Sequence, residues 1–79
     1  MKLEDIKAGD TITVYGTGYK SNMHWQYIVK KVTKTQIKAI LPAGSPTYFY
    51  KFRRDDGMQL PSQRYLNNYI RECNGESIE

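Results

Sequence analysis

The chain has 79 residues and a mass of 9.2 kDa, which allows one domain with a small core. A composition of 39% hydrophobic and 25% charged residues is that of a globular protein, and no apolar run approaches the roughly 20 residues of a membrane-spanning helix. The net charge of +4 is unevenly spread: Thr11 to Arg54 holds eight Lys/Arg and no Asp/Glu, and all eight acids lie outside it, so the folded domain has a positive side suited to phosphate-rich or acidic partners.

In chain order, Leu3 and Ile6 are spaced for one short helical turn at a barrel end, and Gly9-Asp10 signals a turn. Thr11–Tyr15 alternates as a strand, with Ile12 and Val14 on one face. Residues 16–22, rich in Gly, Ser and Asn, read as a loop. Trp25–Thr33 and Thr35–Leu41 read as strands two and three, with a turn at Lys34. Pro42–Pro46 is a loop by its prolines and glycine. Thr47–Arg54 reads as a fourth strand, Tyr48, Tyr50 and Phe52 on one face and Phe49, Lys51 and Arg53 on the other. Asp56-Gly57 is a tight-turn signal, and Met58–Leu60 a short fifth strand.

Ser62 is placed to cap a helix running to Cys73, because Tyr65, Leu66, Tyr69, Ile70 and Cys73 recur at helical spacing. Asn74-Gly75 would end that helix, and residues 76–79 would fray. The expected architecture is therefore mainly β: a small barrel of about five antiparallel strands over residues 1–60, with a helix over about 62–73 covering an open edge.

Two patterns carry a resemblance. Ile6-x-x-Gly9-Asp10-x-Ile12-x-Val14 resembles the entry of many Src-homology-3-like barrels. Val32-Thr33-Lys34-Thr35-Gln36-Ile37, followed by Phe52-Arg53-Arg54-x-Asp56-Gly57, resembles a pattern of small bacteriophage and mobile-element proteins. It covers residues from about 26 to 60, less than half the chain. The resemblance implies a small β-barrel of phage or mobile-element origin and brings no catalytic residues.

The chemistry-bearing side chains point to binding without catalysis. One His (His24), one Cys (Cys73) and dispersed acids form no recognisable nucleophile–base set and no Cys/His metal site, and no cofactor is expected. Asp55-Asp56 reads as turn chemistry. Gly16-Thr17-Gly18 lacks the further glycine and following helix of a phosphate-cradling loop. With a single cysteine and an N-terminus lacking an apolar signal region, a reducing, cytoplasmic setting is expected. Cys73 itself is expected to be buried and unreactive.

If Ile12, Ile37 and Phe52 point inward, alternation turns Thr13, Tyr15, Lys38, Phe49, Lys51 and Arg53 outward. With Lys30, Lys31 and Lys34 near the second turn, Lys38, Lys51, Arg53, Phe49 and Tyr15 make a face suited to nucleic acid, cations meeting phosphates and rings stacking on bases. Tyr48, Tyr50, Phe52, Tyr65 and Tyr69 are assigned mainly to the core. For Phe49, Tyr15 and Trp25 the functional and structural readings stand level. The rival expectation is a protein partner, an acidic host or anti-phage defence protein bound through Tyr19, Met23, His24 and Trp25. The sequence leaves the oligomeric state open, a homodimer included.

Overall fold

A computed structural model of the protein describes residues 1–18, 24–44, 47–60 and 66–78. It is one antiparallel sheet curled into a half-barrel. A 3-10 turn, Leu3–Asp5, precedes the strands β1 (Thr11–Gly18), β2 (His24–Val32), β3 (Gln36–Ile40), β4 (Tyr50–Arg53), β5 (Gln59–Leu60), β6 (Leu66–Cys73) and β7 (Glu76–Ser77). Their order across the sheet is β5-β4-β3-β2-β1-β6-β7. The first five strands thus form a meander, and β6 returns beside β1. Among the described residues no helix is long and apolar enough to cross a membrane.

Alternation fills the concave side. Ile12, Val14, Tyr27, Val29, Ile37, Ala39, Phe52, Ile70 and Cys73 are buried there together with Ile6, the last from the N-terminal turn. The rings of Tyr27 and Phe52 meet edge to face, 5.5 Å between centroids. The ends of the curled sheet meet at Gly57 and Met58. Met58 accepts from the Arg53 amide through its carbonyl (2.8 Å) and forms a β-bridge to Tyr69, while the Ile70 amide donates to the Gly57 carbonyl (3.0 Å). Gly57 has φ 76, and a Cβ there would press on Leu3 and Ile70, so only glycine closes the seam without strain. Asn68 adds a side-chain bond across it, donating to Gln59 (2.9 Å).

The expected helix over 62–73 is corrected: its described part is the strand β6. The helical spacing of Ile70 and Cys73 has a different origin. Ile12 pairs with Cys73 and Thr13 with Glu72, but Val14 pairs with Ile70, leaving Arg71 as an extra residue. This β-bulge lets Ile70 and Cys73, three apart, both face the core, and a single bulge imitates a helical period. Ser62 and Tyr65 lie outside the described residues. Asn74-Gly75, read as a helix end, is the two-residue turn between β6 and β7, with φ 52 and 84. Positive φ at both positions suits a type I′ hairpin as well as a helix cap.

Other boundaries move for related reasons. Gly16-Thr17-Gly18 is not a loop but the end of β1, paired with Asn68, Asn67 and Leu66. Residues 76–78 are not frayed: β7 pairs with β6, and the Ile78 amide donates to the Arg71 carbonyl (2.8 Å). The sheet has seven strands where about five were expected. No helix covers an edge among the described residues; the edge strands β5 and β7 are instead two residues long, which leaves little template for pairing.

Candidate functional site

A second bulge builds the basic face. Ile28 pairs with Ile40 and Val29 with Ala39, but Lys31 pairs with Lys38, so Lys30 is the extra residue in β2. Both Lys30 and Lys31 are therefore exposed, and Val32 returns to the core side. Lys38 pairs in turn with Lys51. The result is a row, Lys31–Lys38–Lys51, running straight across β2, β3 and β4 on the convex side, with neighbouring Cα atoms about 4.5–5.5 Å apart. Lys31 and Lys51 are exposed and Lys38 is half-buried. Among the described residues the ion pairs are those of Arg53 with Asp55 and Asp56, so no carboxylate neutralises the row. Like charges directly opposite one another oppose sheet formation. An external anion removes that repulsion.

The remaining candidates divide. Lys34 is exposed in the turn after β2, which Thr33 and Gln36 close through backbone and side-chain hydrogen bonds. Arg53 faces the same side as Lys51, but its guanidinium is held by Asp56, and Asp55 stands 3.9 Å away. The bond to Asp56 raises the Arg53 pKa and lowers that of Asp56. Asp56 also accepts from the Met58 amide (2.9 Å), so Asp55-Asp56-Gly57 is turn chemistry tied to an arginine. Arg54 is a clamp: it donates to the carbonyls of Thr33 (3.1 Å) and Glu4 (2.9 Å), while its Nε is buried without a hydrogen-bond partner. Phe49 is 42% exposed, just before β4. Tyr48 is 62% exposed, which corrects its assignment to the core; β4 begins at Tyr50, so the alternation expected from Thr47 does not reach Tyr48. Tyr50 is half-buried against the core and Phe52 fully buried, whereas Tyr69, half-buried, pairs with Tyr15 on the convex side, which corrects its assignment to the core.

The Tyr15 ring is already engaged. It stacks on His24 (5.4 Å, 25°), and its hydroxyl donates to Glu72 (2.6 Å), which holds the phenol protonated and raises its pKa. Nearby, Arg71 lies over the Tyr69 ring at 5.5 Å. Trp25 packs against the core across Gly16, where a Cβ would come within 3.1 Å of the indole. Of the set expected to meet a protein partner, His24 is exposed and tied to Tyr15, Trp25 is structural, and Tyr19 and Met23 lie outside the described residues.

Asp10, 7% exposed, clasps the end of β1 to the β6–β7 turn. It accepts from the Lys7 amide (3.0 Å), the Asn74 side chain (3.1 Å) and the Cys73 thiol (3.6 Å). Burial acts to raise its pKa, but these donors together hold it below the ordinary carboxylate value. Asn74 completes the clasp by accepting from the Thr11 amide (2.9 Å). Burial, then the neighbouring Asp10, push the Cys73 thiol up to about 11, so it is a packed hydrogen-bond donor and a poor nucleophile. Among the described residues no group of three His, Cys, Asp or Glu is arranged to hold a metal ion.

The lysine row was only partly legible in advance. Each lysine could be turned outward by alternation, but their alignment depends on the Lys30 bulge. The available signal was Lys30-Lys31 itself: two successive lysines in a strand need a bulge if both are to reach solvent. Comparison with protein-family models, with curated proteins and with solved structures gave no match.

Proposed function

We propose that this chain is a non-catalytic module, of the phage or mobile-element kind its sequence resembles, that binds nucleic acid through the phosphate backbone. The observation that carries this reading is the cross-strand alignment of Lys31, Lys38 and Lys51 without a carboxylate partner among the described residues. Lys30 and Lys34, both exposed, extend the positive surface along the β2–β3 turn. A flat row of ammonium groups suits successive phosphates, and phosphate contacts supply most sequence-independent affinity. A protein partner has less support, since Trp25 is packed inward and His24 and Tyr15 engage each other.

The test is anisotropy of labelled single-stranded DNA, duplex DNA and RNA at about 50 and 200 mM salt. The three-lysine row alone accounts for a log–log salt slope near −3 on duplex DNA. Lys31→Glu with Lys38→Glu is expected to cut affinity at low salt by about a hundredfold and flatten the slope by about 2. Equal binding by this variant and the wild type would sink the proposal. So would absence of binding at low salt, which would turn attention to an acidic protein partner.

A further inference from the structure

At the start of β4, on the face opposite the lysine row, lies a recess of about 280 Å³ lined by Leu41, Gly44, Tyr48 and Tyr50. Its rings are held in a chain that reaches the core. Tyr48 meets Tyr50 edge to face (4.9 Å, 65°), and Tyr50 meets Tyr27 (5.0 Å, 55°), which in turn packs on Phe52. Tyr48 is therefore fixed at one edge yet 62% exposed. A flat ring held this way leaves a face suited to stacking rather than packed in the core.

The placement relative to the cations matters. Tyr50 and Lys51 are successive residues of β4, and Tyr50 pairs with Ala39 beside Lys38. Tyr50 faces the concave side with Tyr27, so the recess lies on the face of β4 opposite the row, reached around the part of β4 that β5, paired only with Lys51 and Phe52, leaves uncovered; Phe49 (42% exposed) stands between Tyr48 and Tyr50 in the chain. All four lining residues fall within the acid-free stretch, so no carboxylate of their own segment repels a phosphate arriving there. A base paired and stacked within a duplex cannot enter a recess displaced from the backbone path; an unpaired base can turn into it.

On the reading that the lysine row binds nucleic-acid backbone, we propose that the Leu41–Gly44–Tyr48–Tyr50 recess receives one unpaired base, so that the preferred ligand is a single strand. The row sets affinity through charge. The recess adds a stacking contact that salt does not screen.

The experiment compares a labelled oligo-dT, an abasic oligomer of equal length and a duplex of equal length, against wild type, Tyr48→Ala, Tyr48→Phe and the Lys31→Glu/Lys38→Glu pair. Wild type should prefer oligo-dT over the abasic strand by about tenfold, the size of one stacked base. Tyr48→Ala should lose that preference with the salt slope unchanged, and Tyr48→Phe should keep it. Tyr48 is exposed, so melting temperatures are expected to match and to show that the variants are folded. Equal wild-type affinity for dT and abasic strands, tighter binding of the duplex, or an unaltered preference in Tyr48→Ala would each overturn the recess assignment. If the charge-reversed pair nonetheless loses binding, the row stands and only the recess fails; if it binds like wild type, both fall.

Discussion

The convex face of the sheet has two halves that treat polar groups differently. Across β1 and β6 Tyr15 donates to Glu72 and stacks on His24, and Arg71 covers Tyr69, while on the core side of the strand ends Asp10 gathers Lys7, Asn74 and Cys73. Across β2, β3 and β4, Lys31, Lys38 and Lys51 stand in register with one another and with no carboxylate. Charge spent inside the first half stabilises the fold. Charge on the second half slightly opposes it and is available to an outside ligand. Substitutions should accordingly separate, with stability changing in one half and binding in the other.

The strongest test of that separation is Asp10→Ala. It orphans the Lys7 amide and the Asn74 and Cys73 donors, and should cost about 2 kcal/mol by denaturant unfolding, with oligonucleotide affinity unchanged. The effect also has a pH sign. Because the folded pKa of Asp10 is lowered, its contribution is complete above the ordinary carboxylate range and is lost as pH falls through the lowered value. The gap between wild type and Asp10→Ala should narrow below about pH 4. Next in size, Tyr15→Phe removes the bond to Glu72 and should lower the melting temperature by a few degrees without altering binding. A loss of affinity larger than the loss of stability would move Tyr15 into the binding half. Smallest, and opposite in sign, Lys38→Gln should raise stability by about 0.3 kcal/mol through relief of like-charge pairing, while weakening binding at low salt. A destabilised Lys38→Gln would mean that the row contributes packing and not only charge.

How much of this was legible depends on the kind of signal. Period-two alternation placed Ile12, Val14, Ile37 and Phe52 inward and Lys38, Lys51 and Arg53 outward, as found. It failed at the two bulges. Arg71 converted a strand into an apparent helical stripe, and Lys30 shifted the register that aligns the lysines. Local turn chemistry was read correctly at the level of φ and wrongly at the level of context, since Asn74-Gly75 serves a hairpin where a helix end was expected. Partners distant in sequence were invisible. Nothing near Tyr15 announces Glu72, 57 positions on.

The return of β6 to β1 has a kinetic consequence. Strands β1 to β4 are joined by neighbouring hairpins, whereas Thr11 and Asn74, bonded across the β1–β6 pair, are 63 positions apart. Closing that span costs more chain entropy than any single hairpin of the meander, which favours docking of β6 onto a meander already formed. Until it does, β1, paired only with β2, presents an open edge.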